Sequence, residues 1–346
     1  MMIREVLVEP QAIAWLLWAV SYFFYIGLAL CAIIAALCLR FFVKPYQPKS
    51  ELIALLVALS FAIVAPIALT ADLHQPGRVW HFYVYLANWS WMAWGSIFLP
   101  IFMLSLVGYI LFLLRQLPQR PTQKWLALLY VGNLNNALWC WIFRILTIIS
   151  SVLILLYTSM EVYNVAARPL WHQPWLIPLI IFSALPSAIL LTHFAISMIN
   201  GTNNKVLMKP LVIACLLLLA ATVGAIYYHS SETALDLSIL WQARPAVAFT
   251  AVIWGLTLLL ALFSAQAKTM QCLLLIASLI LTAMVRWVLL LEVQTVAKYN
   301  ALMNPYHFNW GVDGGLGMLS VAGLWVTVSV ILWQLFGFIN KEQRNG

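Results

Sequence analysis

Between positions 71 and 95 the chain reads ADLHQPGRVWHFYVYLANWSWMAWG, which places Asp72, His74, Arg78 and His81 within ten residues of one another. A histidine with an ordinary pKa of about 6.5 accepts and returns protons near neutral pH. A carboxylate such as Asp72 can orient the ring and relay the proton onward. A fixed guanidinium favours a negatively charged, deprotonated form of whatever is bound beside it. Together these groups suit a two-electron, two-proton oxidation, of which the oxidation of a membrane quinol is one case. The rings around them, including Trp80, Trp91 and Trp94, also read as an interfacial aromatic belt. That accounts for the aromatics but leaves the two histidines beside Asp72 and Arg78 unexplained.

Further polar residues lie in otherwise apolar stretches. Trp18, Tyr22 and Tyr25 follow a spacing of four and three, so as helix residues they share a face and could line the same cleft. An ionised residue inside a span costs about 2.5–3.5 kcal/mol on insertion scales, so each needs a partner or a purpose. Arg286 and Glu292 are poorly placed to pair with each other along one helix, and Glu161 is the expected partner of Arg286, as an ion pair or part of a proton path. Arg144 is expected to snorkel to headgroups.

The elements that position these residues follow from composition. Of 346 residues, 64% are hydrophobic and 8% charged, against roughly 25% charged in a soluble domain. Apolar runs near the ~20 residues of a membrane-crossing helix recur along the chain. The reading is an all-α integral membrane protein, one transmembrane domain over 1–346. Its nine helices are expected at about 12–39, 51–71, 92–115, 138–161, 175–199, 206–228, 246–265, 269–292 and 315–339. The segment 116–137 reads either as a surface amphipathic helix or as an extension of the fourth span. Eleven Lys and Arg residues fall on one side of this arrangement and five on the other. The rule that cytoplasmic loops are the basic ones puts the N-terminus outside and the C-terminus in the cytoplasm. The basic balance therefore speaks for membrane topology and not for a nucleic-acid partner. The five cysteines form no CxxC pair and no two histidines are well placed for a bis-histidine haem, so neither an iron–sulfur cluster, a haem nor another metal is expected in this chain. Pro66 and Pro100, inside the second and third spans, could bend them and open a cleft.

The run DLHQPGRVWHFY followed by WSWMAWGS resembles the signature between the second and third helices of the NrfD/PsrC family, whose members are membrane subunits of polysulfide, nitrite, dimethyl sulfoxide and tetrathionate reductase complexes. The matching positions are Asp72, Leu73, Pro76, Arg78 and Trp94-Gly95. With ALTADLHQ and the first-span run VEPQAIAWLLWAVSYFFYIGLA, the likeness is to the tetrathionate reductase branch of that family. The resemblance implies a quinol-oxidising membrane anchor in a bacterial inner membrane, using menaquinol or ubiquinol. It implies a ferredoxin-like four-cluster iron–sulfur subunit docked on the periplasmic face, feeding a molybdopterin catalytic subunit. His74 and Arg78, then Asp72 and His81, are the candidate catalytic residues. Trp18, Tyr22, Tyr25, Trp80, Trp91 and Trp94 are candidate quinol-binding residues, and Glu161, Arg286 and Glu292 a candidate proton path or ion pair. Three rival readings remain: an anchor of another sulfur-compound or nitrite reductase of the same family, an anchor that binds no quinol, and a secondary transporter. Transporters place their sites near the bilayer midplane on broken helices, whereas the titratable residues here crowd one boundary.

Overall fold

The computed structural model describes residues 10–73, 75–118, 124–200, 208–263, 268–297 and 303–337. Ten helices of more than ten residues occur among them. They are α1 Leu17–Phe41, α2 Pro48–Asp72, α3 Trp91–Leu114, α4 Asn136–Tyr163 and α5 Leu176–Asn200. The remainder are α6 Met208–His229, α7 Ser231–Ala243, α8 Pro245–Phe263, α9 Lys268–Trp287 and α10 Gly315–Phe336. All except α7 are long and apolar enough to cross a bilayer, so among the described residues there are nine candidate spans. The protein is an all-α, multi-pass membrane protein. We call the face on which α1 begins the N-face and the opposite one the C-face.

Each span lies within a few residues of its expected bounds, because a bilayer fixes both length and composition. The departures are local. Residues 12–16 precede α1 instead of belonging to it: the backbone N–H groups of Ala14 and Trp15 donate to Gln294 Oε1 at 3.0 and 3.2 Å, so a side chain far along the chain holds this segment out of the helix. The ambiguous segment resolves into a 3-10 stretch at Lys124–Tyr130, with α4 starting at Asn136 under an N-cap from Asn135. The short helix α7 is an addition to the expected set. Ser230 and Thr233 close a reciprocal capping box at its start, which satisfies end groups that would otherwise face the interface unpaired.

Two groups of spans meet at α1. α1 and α2 pack along each other, α3 joins α2, and α4 lies against α3. On the other side α5 carries α6, and α9 packs against both α5 and α8. α10 lies on α2, where Trp325 stacks on Phe61 at 5.0 Å and donates to the Ser60 hydroxyl. α1 is thus enclosed by both groups, and 72% of its apolar window is buried. Lipid is the natural neighbour of α8 and α10, where only 17% is buried. At the end of α9 the backbone widens into a π-turn, Val288–Glu292. Its Leu289 carbonyl accepts from Trp171 Nε1 at 2.6 Å, and Arg168 donates to the carbonyls of Val293 and Val296 just beyond. Backbone groups loosened by irregular helix geometry are thereby paired from the 164–175 connection.

Candidate functional site

Near the N-face, α1, α2, α3 and α4 enclose a small buried polar group. Tyr22 on α1 and Tyr157 on α4 are both essentially inaccessible. Glu161 lies one turn beyond Tyr157 on the same helix face. Tyr157 stands near both Tyr22 and the Glu161 carboxyl. Asp72, ending α2, adds its charge to the surroundings of Glu161. α3 makes room for this through Gly95: a Cβ there would stand 2.3 Å from the Tyr157 ring. The Tyr22 hydroxyl and Glu161 Oε2 find no hydrogen-bond partner among the described residues. Unpaired polar atoms buried in a protein interior are costly and uncommon. Two so close together, one a hydroxyl and one a carboxylate oxygen, form a site able to donate to an oxygen and accept a proton.

The structure draws in some expected residues and leaves others outside. Tyr22, Glu161 and Asp72 come together. Tyr25 is buried nearby on α1, but its ring packs on Phe24 and Phe61. Trp18 turns toward α10, donating to Asp313 at 3.2 Å. Arg78 lies exposed in a 3-10 turn at Pro76–Arg78. His81 is half-buried, edge-on to Trp80 at 4.0 Å, and Trp80 is exposed. Trp91 is half-buried against the core, whereas the exposed Trp94 donates to the Asn88 carbonyl and stacks on Phe98. His74 lies outside the described residues. Sequence reasoning misses Tyr157, although its spacing of four from Glu161 is a readable signal.

Arg286 does not take Glu161 as its partner. It is fully buried, and its guanidinium donates to the Phe23 carbonyl at 3.3 Å, the Ser183 hydroxyl at 2.8 Å and the Ile180 carbonyl at 2.7 Å. Pro186 sits inside α5, and a proline there leaves the carbonyl four residues earlier without its usual donor. On either side of that residue, Phe182, Arg286 holds Ile180 and Ser183, while Thr282 donates to the Ser183 carbonyl. Arg286 therefore ties α1, α5 and α9 together. Glu292 instead faces Arg244 at 3.5 Å and accepts from Trp287 Nε1 at 2.9 Å.

A second buried network, absent from the sequence-based expectations, occupies the C-face end of α1–α4. The fully buried Glu51 carboxylate accepts from the hydroxyls of Tyr46 and Tyr109. Arg40 and Arg144 lie 3.7 and 3.5 Å from it. Arg144 Nε donates to the Tyr109 hydroxyl at 2.7 Å, so this arginine is engaged inside the bundle and does not snorkel outward. No local pattern announces the network, because its members come from four separate helix ends. Among the described residues, no group of three or more His, Cys, Asp or Glu could hold a metal.

Comparison with known proteins bears on this arrangement. Residues 5–298 match the family model described as polysulphide reductase, NrfD. The chain is 35% identical to the C subunit of the tetrathionate reductase of Salmonella typhimurium over 357 aligned positions, covering 100% of this chain and 99% of that protein. A shorter match, 32% identical over 104 residues, is to the C subunit of the selenate reductase of Mesobacillus selenatarsenatis, covering 30% of this chain and 24% of that one.

Proposed function

The chain belongs to the NrfD polysulphide reductase family, and from that premise we propose that it is the membrane subunit of a respiratory reductase, oxidising a quinol at the Tyr22–Tyr157–Glu161 site. The observation carrying this reading is the pair of buried polar atoms, the Tyr22 hydroxyl and Glu161 Oε2, that find no hydrogen-bond partner among the described residues. A bound quinol supplies two ring hydroxyls, and its oxidation to the quinone releases two protons and two electrons. Glu161 accepts a proton at Oε2, with Tyr157 packed beside it and Tyr22. The Tyr22 hydroxyl donates a hydrogen bond to the ligand oxygen and orients the ring. Asp72, at the membrane boundary, receives this proton on its way to the N-face, and the second proton follows the same path once Glu161 is deprotonated again. Menaquinol and ubiquinol both meet these requirements.

The electrons pass on the same side to an iron–sulfur subunit and then to a molybdopterin subunit. The end-to-end likeness to the C subunit of a tetrathionate reductase supports tetrathionate as the terminal acceptor. The N-face is the periplasmic one of an inner membrane, a placement supported by the distribution of Lys and Arg. Protons and electrons then leave on one side, and the step moves no net charge across the bilayer. In this scheme Arg78 and His81 line the boundary between the buried site and the partner.

The test is Glu161→Gln in the complete complex, reading acceptor reduction driven by quinol and by an artificial dye donor. Loss of a positioned acid–base group lowers rates by about 10²–10⁴. Quinol-driven turnover is expected to fall in that range while dye-driven turnover is unchanged. Quinol-driven turnover at the wild-type rate would remove Glu161 from the site.

A further inference from the structure

On the other side of the molecule, α5, α6, α8 and α9 enclose a cavity of about 630 Å³, with α7 as its roof. α6 packs chiefly on α5 and α8 on α9, which leaves a wedge between α6 and α8. The wedge opens sideways at Val223 and Ala251, both exposed, while its inner wall at Leu219 and Leu289 is buried. Along α9 and its π-turn the lining runs from Leu281 to Val293, roughly 18 Å at about 1.5 Å per residue. The shape is therefore a shaft lying along the helices, closed toward the N-face by α7.

No charged side chain is among the described residues that line it. Of the polar lining groups, Ser238 and Thr250 each donate to a carbonyl of their own helix, and Trp254 Nε1 donates to the Leu216 carbonyl. Tyr227 and Gln242, at the N-face end, are exposed residues and leave the inner wall apolar. The nearby cations are already engaged. Arg168 serves the carbonyls of Val293 and Val296, and Arg244 serves Thr295, the Asn304 carbonyl and Glu292. The inner shaft thus offers no cation for an anionic headgroup and no polar cluster for the ring of a redox ligand. An apolar space of this kind stays dry, and among membrane-crossing helices the medium that can fill it is hydrocarbon.

We propose that the shaft is a binding site for one acyl chain of a bilayer phospholipid, entering between α6 and α8 and lying beneath α7. Recognition is of the chain, not the headgroup. The bound chain supports the π-turn of α9, whose Leu289 forms part of the wall.

The test separates a seated chain from ordinary annular lipid. The purified full-length protein, with its co-purifying subunits, is reconstituted in phosphatidylethanolamine–phosphatidylglycerol vesicles containing a phosphatidylcholine with a photoactivatable diazirine in its acyl chain. After irradiation the adducts are mapped by peptide mass spectrometry. Label is expected on buried Leu219 and Leu289, as well as on lipid-facing Ile149 and Val152 of α4, and excess unlabelled phospholipid is expected to displace it from the buried pair. Gly224→Trp supplies a second arm: Gly224 lines the shaft and a Cβ there meets nothing within 4 Å. Filling the shaft is expected to reduce label at Leu219 and Leu289 to background while Ile149 and Val152 keep theirs. Absence of label from the buried pair in the wild type would overturn the proposal, whatever the variant does. Displacement by a long-chain quinone but not by phospholipid would also overturn it, assigning the shaft to an isoprenoid tail.

Discussion

A side chain at position 95 would meet the Tyr157 ring at once, since the Cβ alone comes within 2.3 Å. Gly95→Ala is therefore expected to displace Tyr157 from beside Tyr22 and Glu161. Overpacking of this kind costs about 1–3 kcal/mol, so a lowered melting temperature should accompany a loss of quinol-driven but not dye-driven turnover. Tyr157→Phe keeps the ring and removes the hydroxyl; it should reduce turnover with little thermal destabilisation. The Trp94-Gly95 pair can be singled out from sequence, but not the reason for the glycine, because the ring that needs the space comes from another helix. The same holds for Arg286. Its isolation in an apolar span is plain, and the expectation of a carboxylate partner is reasonable electrostatics. What cannot be read is that α5 presents a carbonyl and a hydroxyl, and α1 a second carbonyl, that take its place. Arg286→Lys keeps the charge but loses the planar fork. It is expected to lower the melting temperature of the purified protein.

At the scale of helices, the nine spans are legible because length and hydropathy both follow from the bilayer, while α7 is not. Its apolar residues serve as a roof and are too few to look like a span. It also carries the charged pair Glu232 and Asp236. Burial, and then the neighbouring Glu232, push the Asp236 carboxyl above its ordinary pKa, with Arg168 opposing. A carboxyl whose folded pKa is raised contributes most stability at low pH and loses that contribution as pH rises from its unfolded value through its folded one. α7 is therefore expected to open more readily as pH rises above the usual carboxylate range. Backbone amide exchange of residues 231–243, corrected for intrinsic rates, should show this slope in the wild type and lose it in Asp236→Asn.

For the whole molecule, the Glu51 network fixes four helices at the C-face while the Tyr22–Tyr157–Glu161 group sits at the N-face. Removing one member of a buried ion pair costs about 3–5 kcal/mol, because the remaining charge is left without compensation, whereas replacing both partners by apolar residues is often neutral. Glu51→Leu alone should sharply reduce the amount of folded protein in membranes. The double change Glu51→Leu, Arg144→Leu should restore much of it, measured by resistance of the extracted protein to thermal aggregation. If the single variant accumulates normally, the network is not a structural clamp. Orientation is checked separately. A reporter active only in the periplasm, joined within the loop at Gly77, should be active, and the same reporter joined near Gln116 should not.

The link between Gln294 and the segment before α1 has a consequence for assembly. α1 precedes every other span in the chain, yet the backbone of Ala14 and Trp15 is satisfied by a side chain at the end of α9. During synthesis these two N–H groups therefore cannot take this partner until residue 294 has been made. Ribosome-bound chains truncated before residue 294 should leave residues 10–16 open to protease, and chains that include it should protect them. A segment made before α1 is thus completed only by one made after α9.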